Sequence, residues 1–217
     1  MAIYRLVLVG PPGVGKGTQA ELLEKNFGAT QLSTGMIFRK EMEAETELGQ
    51  MAKGYMEKGE LVPDEVTIGM VANKLKTDEI MNGGFILDGF PRNVSQAEAL
   101  DEILTGIGER LDKVISIEVD QEVVVDRLSG RRGCPKCTEI YHIVSKPPKV
   151  EGICDKCGTP LITRSDDNAE TIRARLKVFA DSTAPVIGYY EDKGILARID
   201  GTGSPDEVYA QIATALS

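Results

Sequence analysis

Arg5-Leu6-Val7-Leu8-Val9-Gly10-Pro11-Pro12-Gly13-Val14-Gly15-Lys16-Gly17-Thr18 decides the fold. Its apolar start reads as a core strand. Its glycines read as a loop, and Ala20, Leu23 and Phe27, spaced by three and four, continue it as a helix. Glycine lets the chain curl so that several backbone N–H groups point at one anion. The helix N-terminus adds partial positive charge, and Lys16 can reach terminal phosphates. The common phosphate-loop pattern has Ser or Thr directly after the lysine; here Gly17 intervenes before Thr18. Glycines in such a turn can also serve close packing alone. The lysine in a strand–loop–helix setting favours phosphate.

Outward from this unit, apolar runs alternate with helical patterns. Strands are expected over 5–9, 30–32, 85–87, 114–118 and 196–199. They imply an α/β protein with a five-stranded parallel sheet flanked by helices, of the P-loop NTPase type. Val123, Val124 and Leu128 mark one helix. Ser204-Pro205-Asp206-Glu207 is a capping box opening the last one. A similar Asp167-x-x-Glu170 start precedes Ile172, Leu176 and Phe179. The third strand ends in Asp88, a carboxylate suited to the Mg²⁺ side of a phosphate site. Taken alone, Asp88-Gly89 would be read as a turn.

Two segments break the alternation. Residues 33–77 read as consecutive helices with no strand, and residues 130–167 are rich in Gly, Pro and Cys with no long helix. The expected organisation is a core of 1–32, 63–129 and 168–217, a helical insertion over 33–62 and a second insertion over 130–167.

Cys134-Pro135-Lys136-Cys137 and Cys154-Asp155-Lys156-Cys157 hold every cysteine of the chain. Two tight turns of two thiolates each suit tetrahedral Zn²⁺; two disulfides or redox pairs are the alternatives. Four sulfurs leave no position for substrate, so the ion would be structural, stabilising a lobe too small for its own core. His142 is read as ordinary structure of that lobe.

The chain has 217 residues, 41% hydrophobic and 27% charged, enough to bury a sizeable core. No apolar stretch approaches the roughly 20 residues that cross a bilayer. The run from Met1 to Gly10 lacks a cationic leader and a cleavage site, so a core strand and a cytoplasmic location are expected. A formal charge of −9 argues against coating nucleic acid. Nothing suggests a subunit interface, which makes a monomer the default.

Asp88-Gly89-Phe90-Pro91-Arg92 followed by Gln96 is narrower than any phosphate loop. With the Gly15-Lys16-Gly17-Thr18 variant, Ser33-Thr34-Gly35 and Gly130-Arg131-Arg132, it closely resembles the adenylate kinase family in its bacterial, zinc-bearing, long-lid form. The resemblance spans essentially the whole chain. It implies reversible phosphoryl transfer from Mg·ATP to AMP, giving two ADP. Residues 33–62 would be the AMP-binding insertion and 130–167 the zinc lid, with Cys134, Cys137, Cys154 and Cys157 as ligands. It assigns ATP phosphates to Gly13, Val14, Gly15, Lys16, Gly17 and Thr18. Arg127 would lie along the ATP adenine, and Arg131 would engage the ATP phosphates. Ile140, Tyr141 and the backbone near Gly203 would complete the ATP site. AMP falls to Thr34, Arg39, Glu60, Leu61, Val62, Gly89, Phe90, Pro91, Arg92 and Gln96. Arg164 and Arg175 would close over both phosphate chains, so Lys16, Arg92, Arg131, Arg164 and Arg175 form the catalytic set. Asp88 would meet Mg²⁺ through water.

These residue types suit that chemistry. Phosphoryl transfer needs aligned oxygens and neutralised charge more than covalent help, and arginine's planar fork matches phosphate oxygens. Gln96 offers both the donor and the acceptor that adenine's edge requires. The sequence departs from the family at Ser33-Thr34-Gly35-Met36-Ile37, where Asp usually stands in place of Met36. That departure bears on Mg²⁺ placement and turnover and leaves the nucleotide sites in place. Two rivals remain at this stage: a kinase of another nucleoside monophosphate, and a non-catalytic zinc-ribbon module on a nucleotide-sensing scaffold.

Overall fold

The structure, a computed structural model, describes residues 3–217; Met1 and Ala2, which open the N-terminal apolar run, lie outside the described residues. The first strand, β1 (Tyr4–Val9), runs through the loop into α1 (Lys16–Phe27), followed by β2 (Thr30–Ser33). Then come α2 (Thr34–Glu43), α3 (Glu47–Met56), α4 (Asp64–Leu75) and α5 (Asp78–Gly83), with no strand among them. β3 (Gly84–Asp88), α6 (Val94–Gly106), β4 (Lys113–Glu118) and α7 (Gln121–Ser129) resume the alternation. Two short strands follow, β5 (Arg131–Gly133) and β6 (Ile140–His142). α8 (Ala169–Val178) passes through a π-helical turn into α9 (Ala184–Asp192), and β7 (Leu196–Asp200) and α10 (Pro205–Leu216) end the chain.

The main sheet has the order β2-β3-β1-β4-β7, and every pairing is parallel. β1 lies at its centre with Leu6 level with Ile86 on one side and Lys113 on the other. Alternate residues of β1 serve opposite faces. Leu6 and Leu8 pack with Leu23, Ile115 and Ile212, whereas Val7 and Val9 pack with Leu87, Leu100, Val114 and Tyr190. A strand buried on both faces has no use for polar alternation, hence the unbroken apolar run. Chain order reverses where β1 meets β3 on one side and β4 on the other. The crevice beyond the carboxyl ends of such strands is where ligands bind in open α/β sheets. Gly10 and Asp88 open onto that edge.

Each lobe beyond the sheet has its own small cluster. Phe38, Ala52 and Val62 are buried together where α2 and α3 meet. These helices run so close that a Cβ on Gly49 would lie 2.1 Å from the Glu41 carbonyl oxygen. The lobe of β5 and β6 buries Cys134, Tyr141 and Cys154 with little else apolar.

At α10 the expected capping box is present, Ser204 Oγ accepting from Glu207 N–H and the Glu207 carboxylate accepting from Ser204 N–H. At α8 the expectation needs correction. The cap is Asn168, whose Oδ1 accepts from Thr171 N–H at 2.9 Å. Asp167 turns away into a cluster of arginines, where a buried carboxylate gains more from cations than from a helix end.

Candidate active site

The loop after β1 needs its glycines. Gly13 and Gly15 have φ of 81° and 109°, and a Cβ on Gly13 would meet the Leu128 side chain at 2.6 Å. Lys16 folds back over this loop, its Nζ donating to Gly10 O at 2.8 Å and Pro11 O at 2.9 Å. Withdrawal from water lowers its pKa to about 8 against the pull of Asp88, and Arg92, Arg175 and Arg131 push the same way as burial. Asp88, at the end of β3, accepts from Ser33 Oγ at 3.3 Å, so the carboxylate and the loop face each other across the strand ends.

A continuous cleft of about 680 Å³ runs from this loop to α2 on one side and beneath β6 on the other. Gly13 to Thr18, Arg127, Arg131, Ile140, Tyr141 and Gly203 line one part. Thr34, Arg39, Glu60, Leu61, Val62, Gly89, Pro91 and Gln96 line another, and Asp88, Arg92, Arg164 and Arg175 lie between. Phe90 is the exception. Its ring is wholly buried in the sheet core, so only its backbone is left for the cleft.

Packing fixes each polar group. Thr34 Oγ1 donates to Gly89 O at 3.0 Å, and Arg92 Nε donates to the same carbonyl at 2.7 Å. Gln96 accepts from Arg92 N–H at 2.7 Å and donates to Asp64 Oδ1 at 2.6 Å, which fixes the orientation of its amide. Asp64, which sequence reasoning missed, therefore sets the orientation of Gln96 at the cleft wall. Arg127 bridges Val14 O at 2.9 Å and Gly201 O at 2.8 Å, tying the phosphate loop to the turn after β7.

The arginines carry their own counterions. Asp166 pairs with Arg39 at 2.9 Å and Arg175 at 3.0 Å; Asp167 pairs with Arg131 and, at 3.3 Å, with Arg175. Burial alone would raise the Asp166 carboxyl, but Arg39, Arg175, Arg131 and Arg164 outweigh it and hold its pKa down to about 2. Burial draws Arg175 down to about 10 and Arg164 well below its usual range, the effect of crowding cations out of water. The signal for Asp166 and Asp167 was present, two adjacent acids just after Arg164, but a helix-capping pattern absorbed it.

The four cysteines are free thiols whose sulfurs lie within 4.8 Å of one another. Cys134 and Cys157 are 3.4 Å apart, Cys137 and Cys154 3.4 Å, and Cys137 and Cys157 3.5 Å. A disulfide needs about 2.05 Å. Tetrahedral zinc with sulfurs at about 2.3 Å has edges near 3.8 Å, so the donor set fits such an ion with a small expansion. Tyr141 packs against it, its hydroxyl accepting from Asp155 N–H at 2.7 Å. His142 is occupied otherwise, Nδ1 accepting from Val144 and Ser145 N–H at 3.1 Å each.

Comparison with known proteins adds to this geometry. The sequence profile of the family described as Adenylate kinase matches residues 8–195. An adenylate kinase of Bacillus licheniformis is 53% identical over 211 residues, covering 97% of both chains. One from Caldanaerobacter subterraneus subsp. tengcongensis is 52% identical over 212 residues, 98% of this chain and 96% of its own. One from Clostridium botulinum is 50% identical over 98% of each.

Proposed function

Starting from the fact that the chain belongs to the adenylate kinase family, we propose that its cleft transfers a phosphoryl group reversibly from Mg·ATP to AMP, yielding two ADP. One observation carries the assignment of roles: a single cleft joins the phosphate loop to the α2 lobe, with Lys16, Arg39, Arg92, Arg131, Arg164 and Arg175 all on its walls.

In this reading Gly13 to Thr18 cradle the ATP phosphates through backbone N–H groups, and Lys16 exchanges its two loop carbonyls for phosphate oxygens. Arg131 stands over the donor and Arg92 and Arg39 over the acceptor, while Arg164 and Arg175 span the phosphates in flight. The AMP phosphate is already anionic at neutral pH, so no strong base is required. Positioning and charge neutralisation supply the rate. Asp88, braced by Ser33, holds the magnesium of Mg·ATP through water. Met36 lines the cleft where the family usually has a second carboxylate, leaving Asp88 to do this with less help.

Residues 33–62 grip AMP, and residues 130–167 cover ATP, excluding water as a competing acceptor. Cys134, Cys137, Cys154 and Cys157 hold a structural Zn²⁺, which supplies cross-linking and no chemistry. The protein works as a cytoplasmic monomer; among the described residues no helix is long and apolar enough to cross a membrane.

An ADP-formation assay with AMP, CMP, UMP and GMP tests acceptor choice, with AMP expected to lead. Lys16→Met should lose at least about 100-fold in turnover while staying folded, as removal of one preorganised charge contact does. Full activity in that variant would remove the loop from the mechanism.

A further inference from the structure

α8 does not run straight into α9. Between them Phe179 to Thr183 form a π-helical turn, in which Ala184 N–H donates to Phe179 O, five residues back. Such a turn holds one residue more than an α-helical turn and occurs frequently at functional sites. Its effect here is on register. Arg175 and Thr183 stand eight residues apart. Uninterrupted α-helix would leave them about 80° apart around the axis; absorbing one residue brings them within about 20°. Both line the cleft.

Thr183 uses that placement. A helical threonine ordinarily turns its hydroxyl back on the carbonyl three or four residues earlier. The Thr183 hydroxyl instead donates to Arg92 O at 2.8 Å, across 91 residues of chain, from a side chain that is buried. Arg92 is thereby held at three atoms: its N–H by Gln96, its Nε by Gly89 O and its carbonyl by Thr183. The two terminal nitrogens of the guanidinium are left over. Among the described residues they pair with no carboxylate, whereas Arg39, Arg131 and Arg175 each do. With no counterion to aim it, this guanidinium depends on those three anchors.

We propose that Thr183 is a positioning residue for the acceptor phosphate, acting through Arg92, and that the π-helical turn is what brings it there. This rests on the role given to Arg92 above and adds the element that sets it. Arg175 rides on the same helical run, so one continuous element spaces the two guanidiniums. Without the hydroxyl, Arg92 O loses its partner. The Arg92–Asn93 peptide is then free to turn toward another donor, carrying the guanidinium off the acceptor.

Thr183→Val, which exchanges the hydroxyl for a methyl group, should lower kcat/KM for AMP about tenfold and leave the KM for ATP little changed. Thr183→Ser, which keeps the donor, should restore most of the loss; no rescue would assign the loss to the methyl group and overturn the proposal. The deciding measurement is a double-mutant cycle. In an Arg92→Ala background, Thr183→Val should cost nothing further, because no guanidinium is left to aim. A merely structural role would cost the same factor in both backgrounds. Equal factors overturn the proposal, as does an unchanged kcat/KM for AMP in Thr183→Val. If melting shows that Thr183→Val does not fold, Thr183→Ala takes its place in the cycle under the same outcomes. Native kcat/KM for AMP in Arg92→Ala alone would strike the role of Arg92. Failure of the native protein to form ADP from ATP and AMP would strike the reaction.

Discussion

Arg131 meets Asp167 through both prongs of its guanidinium, Nε donating to Oδ2 at 2.7 Å and Nη2 to Oδ1, with the carboxylate fully withdrawn from solvent. Arg131 opens β5 and Asp167 lies just before α8, so the pair ties the two ends of the cysteine lobe together. Removing one member of a buried pair strands the other charge, at a cost of about 3 kcal/mol or more. Asp167→Ala should lower the unfolding free energy in urea by that order in the unliganded protein. A bisubstrate ligand whose phosphates take the carboxylate's place should restore much of it. Unchanged stability without ligand would show the pair to be inconsequential.

Lys16 sets a pH dependence with a definite sign. Its pKa falls to about 8 when folded, against 10.5 ordinarily, because burial disfavours the cation. Between these values the unfolded chain binds more protons, so this group makes stability rise with pH across that window, its cost being complete below about pH 8. Activity moves the other way. As Lys16 loses its proton, kcat/KM for ATP should fall above about pH 8, since that quantity reports the free enzyme. A profile from pH 6 to 10 measures it, and a flat limb beyond pH 8 would contradict the burial argument. The stability component should vanish in Lys16→Met.

Stripping the metal site should loosen one lobe without unfolding the sheet. A mercurial thiol reagent is expected to release one zinc per chain, read with a colorimetric chelator. Cys154→Ser should lower the melting temperature by about 5–10 °C, as a loss of about 2–3 kcal/mol does in a protein of this size. Release of no metal would leave the four sulfurs as a reduced thiol cluster.

Gly49 predicts an effect confined to one substrate. A methyl group there meets the Glu41 backbone, which cannot swing aside. Gly49→Ala should force α2 and α3 apart, cost about 1–3 kcal/mol and raise the KM for AMP more than that for ATP. Equal changes in both would mean that the strain spreads into the core.

Much of the architecture is legible in the sequence. Strands buried on both faces are continuous apolar runs, and the glycine-rich loop carries its conformation in its composition, so the sheet and the loop at its edge could be read directly. The strand expected over 30–32 became Thr30–Ser33, and that over 85–87 became Gly84–Asp88, shifts of a residue or so at frayed ends. Sites made by distant partners were harder. Asp166 and Asp167 owe their role to Arg39 and Arg131, 127 and 36 residues away respectively. Local sequence offers them only a helix start. Phe90 lies in the stretch that the resemblance assigns to AMP, yet its ring is buried in the sheet core. Side chains one apart can point to opposite sides, and no spacing rule applies in an irregular loop.

The counterions built into the cleft have a consequence for exchange. On the proposed roles, an incoming phosphate would not find bare guanidinium; it would have to displace Asp166 and Asp167 from Arg39, Arg131 and Arg175, so the affinity measured would be a difference between two anions. A catalyst whose two directions use closely similar molecules gains from that tempering. A ring of arginines without such ballast would hold ADP long after the transfer was over, and turnover would wait on its departure.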